Sequence, residues 1–143
     1  MIHEGSDYQV HIGTPSIEDY RRLREIAGLS PKSKEAAEKG LPNTLYATTI
    51  RYQAGETVAM GRVIGDNGCF YQIVDIAVDP SHQGKGLGKI IVSSLIDYVK
   101  AEAPDGAYVS LIADGPAKYL YAKFGFEPVT PESIGMAFRV QRT

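Results

Sequence analysis

Val74-Asp75-Ile76-Ala77-Val78-Asp79-Pro80-Ser81-His82-Gln83-Gly84-Lys85-Gly86-Leu87-Gly88-Lys89 is the stretch whose reading decides the fold. An apolar strand runs into Asp79-Pro80. Three glycines within five residues follow, and an amphipathic segment, Ile90 to Val99, comes next. A strand, a glycine-rich turn and a helix start together make an anion site. Glycines let the backbone approach a ligand closely. The free amides and the dipole of a helix N-terminus favour phosphate. The plain alternative is a turn that only enters a helix. Lys85 and Lys89 beside the glycines favour a pyrophosphate site.

The intervals exclude two common phosphate motifs. A P-loop ends in Gly-Lys-Ser/Thr after a longer gap. A dinucleotide fingerprint is G-x-G-x-x-G, with an acidic residue about 20 residues on. Gly84-Lys85-Gly86-Leu87-Gly88 has the wrong last interval, and Asp105 sits in a Pro104-Asp105-Gly106 turn.

Composition bounds the rest. A chain of 143 residues suits one domain, residues 1–143, with one core. Its 43% hydrophobic and 22% charged residues are an ordinary globular mix. A net charge of -2 gives no general basic field, so no nucleic-acid partner is expected. Cys69 is the lone cysteine, which makes an intrachain disulfide impossible and a reducing, cytoplasmic setting the simplest expectation. No apolar run reaches the ~18 residues of a membrane span. Met1 to Asp7 lacks a signal-peptide pattern. His3, His11 and His82 lack metal-ligand spacing, so no metal is expected.

Outward from the turn, the chain alternates strands and helices. Tyr8 to Ile12 reads as a strand. Ser16 caps a helix carrying Tyr20, Leu23, Ile26 and Ala27 at helical spacing, ended by Gly28. Ser30-Pro31 begins a short helix, Lys32 to Lys39, stopped by Gly40. Thr44 to Tyr52 and Thr57 to Ile64 form a hairpin, and Cys69 to Val78 is a central strand. The main helix runs from Lys85 or Gly86 to Ala101. Ala107 to Ala113 is the next strand, Pro116 to Phe124 a short helix, and Phe126 to Val129 and Gly135 to Val140 the last strands. The expectation is an α/β (α+β) fold: a mixed, largely antiparallel, seven-stranded sheet with helices on both faces.

Gln83-Gly84-Lys85-Gly86-Leu87-Gly88 resembles the Q/R-x-x-G-x-G/A signature of the GNAT superfamily of N-acetyltransferases. Ala117-Lys118-Tyr119-Leu120-Tyr121-Ala122-Lys123-Phe124-Gly125-Phe126 is similar to that family's A-x-x-L-Y-x-K-x-G-F segment. The two stand in the family's order, and the resemblance covers about residues 44 to 140. It implies the GNAT fold, acetyl-CoA as the cofactor, and acetyl transfer to an amine.

That chemistry needs a held and polarised acetyl carbonyl, a neutral amine and a proton for the leaving thiolate. No covalent nucleophile is required, and no G-x-S-x-G motif occurs. The resemblance implies that the backbone of Ile76, Ala77 and Val78 meets the cofactor's arm where this strand splays from its neighbour. It implies that Gln83, Gly84, Lys85, Gly86, Leu87, Gly88 and Lys89 hold the pyrophosphate. Either lysine has an alternative reading as a solvated first-turn residue. Tyr121 takes the family position of the general acid, against a reading as a core aromatic; Tyr119 and Phe124 read as core. Ala117 and Lys123 belong to the same segment and count as cofactor contacts. Asp114 stands where many relatives carry Asn, which leaves its contact with the cofactor open.

Asp75 interrupts an apolar strand. It is either a general base or one half of an ion pair with Arg62, and it shares a strand face with Ile73 and Ala77 on simple alternation. Cys69 reads as a small apolar filler and His82 as an exposed loop residue. Tyr46, Tyr52, Arg62, Asp66, Tyr71 and Met136 are candidate acceptor-lining residues, suiting a small cationic or aryl amine. A protein N-terminus, a lysine acceptor or a non-catalytic CoA-binding module are the alternatives. Family habit and the apolar strand Met136-Ala137-Phe138 imply a homodimer.

Overall fold

The computed structural model describes residues 6–142, so His3 lies outside the described residues. The chain falls into two compact units, Met1–Leu111 and Ile112–Thr143. The first holds β1 (Tyr8–Ile12), α1 (Ile17–Ile26), α2 (Lys34–Gly40), β2 (Tyr46–Tyr52), β3 (Thr57–Gly65), β4 (Phe70–Val78), α3 (Leu87–Glu102) and β5 (Tyr108–Ser110). The second holds α4 (Ala117–Ala122).

The caps follow side-chain chemistry. Ser16 Oγ accepts the Asp19 amide at 3.1 Å and opens α1. Gly28 adopts φ 84° just beyond it. The second helix starts later than expected, because Ser33 rather than Ser30 supplies the cap, its Oγ accepting the Ala36 amide at 3.0 Å. That helix ends at Gly40 as expected, but not through a left-handed glycine. Gly40 keeps a right-handed φ of -81°, and the chain tightens into a 3-10 turn, Leu41–Asn43.

The strands form one sheet in the order β1-β2-β3-β4-β5. The first four are antiparallel neighbours and β5 runs parallel to β4. A parallel neighbour needs a crossover, which α3 provides. Gly61 faces α3: a Cβ there would lie 2.5 Å from Ile91 Cγ2 and 2.9 Å from Leu95 Cδ1. Its neighbour Met60 faces the other way, packing with Tyr20 and Leu23 of α1, Ala37 of α2, Leu41 and Ala77. Helices therefore cover both faces. β3, in the middle, is buried from Thr57 to Val63, as a strand covered on both sides must be.

The α/β class holds, but the strand count differs. The described residues contain five strands, not seven. Phe126 to Val129 and Gly135 to Val140 are irregular. A strand persists only where its N–H and C=O groups find a ladder partner. Pro128 and Pro131 each remove a donor from this stretch. Met136 and Phe138 are each 89% exposed, so the terminal strand on which pairing between subunits was expected is not formed. Among the described residues no helix is long and apolar enough to cross a membrane.

Candidate functional site

The glycine turn has the geometry of an anion cradle. Asp79 Oδ1 accepts the Ser81 amide at 2.8 Å, fixing a 3-10 turn at Pro80–His82 that redirects the chain out of β4. Gly84 and Gly86 then take φ values of 78° and 79°, a region that side chains strain to enter. Gly86 is the N-cap of α3, and the first helical bond runs from the Ile90 amide to its carbonyl at 3.1 Å. The amides of Leu87, Gly88 and Lys89 stand outside the helical ladder, as the first turn of any helix leaves them. A Cβ at Gly84 or Gly86 would meet nothing within 4 Å, so open space lies in front of this backbone. Lys85 and Lys89 are exposed and form no ion pair among the described residues. Leu87 points its side chain into the core, leaving only its amide to the turn. Gln83 is a strut: its Nε2 donates to the Val78 carbonyl at 3.3 Å.

Before the turn, β4 has a free edge. Its pairing with β5 covers only Phe70, Tyr71 and Gln72. From Ile73 onward that side of β4 has no strand beside it among the described residues. The Asp79 amide donates to the Val58 carbonyl at 2.8 Å, and Ala77 pairs with Met60. Antiparallel alternation then turns the backbone groups of Ala77 toward β3 and those of Ile76 and Val78 toward the free edge. Of the three strand residues named from the sequence, Ile76 and Val78 thus turn toward the free edge, where the Val78 carbonyl already accepts Gln83 Nε2, and Ala77 does not.

A bulge sets this arrangement. Across from Met60 to Arg62 on β3, β4 runs from Ala77 to Val74 and so carries one residue more. Asp75 takes φ 61°, a left-handed conformation that Asp tolerates better than most residues. The extra residue breaks simple alternation. Val63, next to Arg62, pairs with Ile73, so Ile73 lies on the α3 face. Asp75 is on the α1 face with Ala77, not with Ile73 as alternation predicts.

On that face Asp75 is held by three donors. Arg62 Nε donates to Oδ2 at 2.7 Å, Tyr20 Oη donates to Oδ2 at 3.0 Å, and Arg24 Nη1 donates to Oδ1. The carboxylate side chain is only 4% exposed. Burial, and next the charge of Asp75, push the Tyr20 phenol up, which keeps it a donor. The ion pair with Arg62 is thus present, and the carboxylate has little access to an incoming proton. Arg24 is a partner that the sequence reading missed. Its signal was the i, i+4 spacing of Tyr20 and Arg24, which places an arginine on the buried side of α1.

In the second unit Tyr121 is 8% exposed, with its ring edge-on to Phe126 at 6.3 Å. Burial, and next the charge of Asp114, push its phenol up from the ordinary value. The hydroxyl has no hydrogen-bond partner among the described residues. It is a protonated, unengaged donor at neutral pH. Ala117 is half-buried, while Asp114 and Lys123 are exposed. Tyr119, expected in the core, is 67% exposed, because it points off the far side of a short helix. Gly125, at φ 94°, ends that helix as expected.

The candidate lining residues of the first unit do not converge. Tyr46 pairs with Val63 and so faces α3, where it stacks on Tyr98 at 4.3 Å along a groove of about 710 Å³. Arg62 faces α1. Asp66 Oδ1 accepts the amides of Gly68, Cys69 and Phe70 at 2.9, 2.8 and 3.0 Å, which lowers its pKa and ties it to the turn. Tyr71 is 2% exposed and belongs to the core. Cys69 is exposed rather than a filler, because that same turn lifts it off the sheet. His82 is not a free loop residue: its Nδ1 lies 2.8 Å from Tyr8 Oη, and its ring packs on Tyr52 at 4.7 Å. Met136, in the second unit, is exposed. Among the described residues no cluster of His, Cys, Asp and Glu could hold a metal.

Comparison with known proteins bears on this geometry. Residues 15–126 match the family model described as Acetyltransferase (GNAT) family. A solved structure from meticillin-resistant Staphylococcus aureus, described as a probable acetyltransferase of unknown function, is 49% identical, with a TM-score of 0.89 over 93% of this chain and 99% of that one. The ribosomal-protein-S18-alanine N-acetyltransferase of Escherichia coli shares the fold at 22% identity and a TM-score of 0.68, over 85% of this chain and 80% of that one. Among curated proteins, GCN5-related N-acetyltransferase 2, chloroplastic, of Arabidopsis thaliana is 34% identical over 59% of this chain and 31% of its own length. Serotonin N-acetyltransferase 2, chloroplastic, of Oryza sativa subsp. japonica is 36% identical over 59% of this chain and 42% of its own. The chain spans about a third to two fifths of the length of these two curated relatives.

Proposed function

The chain belongs to the GNAT family of acetyltransferases, and on that premise we propose that it moves an acetyl group from acetyl-CoA to the primary amine of a small molecule. The observation that carries this is the free edge of β4 leading directly into the turn of Gly84 and Gly86 at the start of α3. Backbone groups of Ile76 and Val78 suit the amides of an extended pantetheine arm. The amides of the turn, from Gly84 to Lys89, suit the pyrophosphate, with Lys85 and Lys89 adding charge. Acetyl-CoA supplies an activated thioester. The amine attacks it directly in a ternary complex, so no residue of the chain becomes acylated. Tyr121 is the general acid that protonates the leaving thiolate: its raised pKa keeps the proton on until a stronger base forms nearby. Asp75, saturated by three donors, is poorly placed to be the base, and water chains take the amine's proton.

The same reading has the protein acting as a homodimer in the cytoplasm. A monomer by light scattering at micromolar concentration would rule the dimer out. Acetylation of a protein N-terminus or lysine is the second reading, and the name of the Escherichia coli relative shows that the fold admits it. A thermal-shift series separates the ligand classes. Acetyl-CoA should raise the melting midpoint, whereas ATP and NAD should not. Protection by ATP or NAD without CoA would overturn the donor assignment.

A further inference from the structure

Two buried guanidinium groups share one carboxylate. Arg24 and Arg62 are 7% and 8% exposed, and the Asp75 they flank is the one acid within salt-bridge distance of either among the described residues. The cluster therefore carries one positive charge in excess, and a buried charge without a counter-ion is costly.

The excess has an address. Every guanidinium nitrogen of Arg24 is used: Nε donates to the Ser30 carbonyl at 2.8 Å, Nη2 to Ser30 Oγ at 3.1 Å, and Nη1 to Asp75. Arg62 uses Nε on Asp75 at 2.7 Å and Nη1 on Thr44 Oγ1 at 2.8 Å. Its Nη2 has no partner among the described residues. No fully buried side-chain nitrogen or oxygen in those residues lacks a partner, so Nη2 reaches solvent.

The position is informative too. Arg62 pairs with Val74, two residues past Gln72, the last residue of β4 that β5 covers. The spare donor thus stands on the α1 face where the free edge of β4 begins. The turn that suits the pyrophosphate lies beyond Val78, about 13 Å further along the strand at 3.3 Å per residue. On the transferase reading the donor's phosphates occupy that far end, so an anion reaching Arg62 comes from the other substrate.

We propose that the acceptor is an amine that also carries an anionic oxyacid group, a carboxylate or a phosphate, and that Arg62 Nη2 binds it. This rests on the transferase reading above. Arg62 is then a specificity residue: it reports the acceptor's charge, and Asp75 and Thr44 hold it in place.

The test uses matched acceptor pairs with the intact chain: an amino acid against its carboxamide, and an aminoalkyl phosphate against the corresponding amino alcohol. For at least one pair, kcat/KM should favour the acid by about ten- to a hundredfold, the range of a hydrogen bond to a charged group. The pair that shows the preference identifies the group. Arg62→Lys keeps a charge but loses the fork, and should shrink that preference, read as the ratio of kcat/KM within each matched pair, in which any change in acetyl-CoA binding cancels. The wild-type comparison stands even if the variant folds poorly. Turnover of neutral amines with no acid preference in either pair overturns the anion assignment alone. Turnover of no amine of any kind overturns the transferase reading beneath it.

Discussion

Arg62 Nε donates to Asp75 Oδ2 at 2.7 Å across the point where β4 carries one residue more than β3. The bond joins the bulge to its neighbouring strand. It fixes which backbone groups of Ile76 and Val78 reach the free edge. A buried ion pair thus orients the strand edge proposed to bind the donor.

Asp75→Asn separates a positioning role from a basic one. The substitution leaves two buried arginines without a charge partner, so stability should fall by about 3 kcal/mol in urea unfolding. At a temperature where the variant is folded, KM for acetyl-CoA should rise, and the acid limb of the kcat profile should keep its place. An unchanged KM with a vanished acid limb would make Asp75 the base after all.

Gly84→Ala and Gly86→Ala test the turn. Both glycines hold φ near 80°, and a Cβ at either meets open space. The cost to folding is backbone strain alone, about 1–2 kcal/mol. The new methyl group would stand in the open space through which the proposed pyrophosphate approaches the amides. Acetyl-CoA affinity of the folded protein should therefore drop at least about tenfold, about 1.4 kcal/mol of binding, a loss that strain common to the free and bound states does not produce. Calorimetric titration beside a thermal melt reads both quantities. Equal affinity in wild type and variants would remove the turn from the donor site.

Tyr121→Phe removes the proposed acid without emptying the ring's place. General-acid catalysis contributes on the order of a hundredfold or more, so kcat should fall by about that factor with KM for acetyl-CoA little changed. The sign of the pH effect follows from the raised pKa. Tyr121 must be protonated to act, so wild-type activity attributable to it declines only above the ordinary phenol value of about 10. The variant should lack that alkaline decline. A rate profile identical to wild type would return Tyr121 to the core.

Gly61→Ala probes the layer between β3 and α3. The added methyl group would lie 2.5 Å from Ile91, 2.7 Å from Ile76 and 2.9 Å from Leu95. Overpacking of this kind costs about 1–3 kcal/mol. Because the Ile76 side chain is among those displaced, acetyl-CoA affinity should fall as well. A melt at the wild-type midpoint would show that α3 can slide to make room.

The legible parts of this chain were those written in local chemistry. Gly84, Gly86 and Gly88 announce the turn, Ser16 announces α1, and the β-branched runs announce β2 to β4. The illegible parts depend on partners far away in sequence. The tail from Phe126 has strand-like composition, but composition does not supply a ladder, and Pro128 and Pro131 reduce the donors available. The bulge at Asp75 changes the strand's face by one inserted residue, which a period-2 pattern cannot register. The role of Arg24 was hidden for the same reason. Its carboxylate lies 51 residues away, and a helical arginine reads as solvated until that partner is known. The glycine turn proposed for the phosphates was therefore legible in the sequence, and the buried cluster proposed for the acceptor was not.

Acetyl transfer itself is tested most directly by following free thiol released from acetyl-CoA, with mass spectrometry of the product, across a panel of primary amines. The account predicts release that depends on the amine, a product heavier by one acetyl group on nitrogen, and an acid-bearing amine among the best acceptors. Tight CoA binding with no amine-dependent release from any member of the panel, small molecule or peptide, would contradict it.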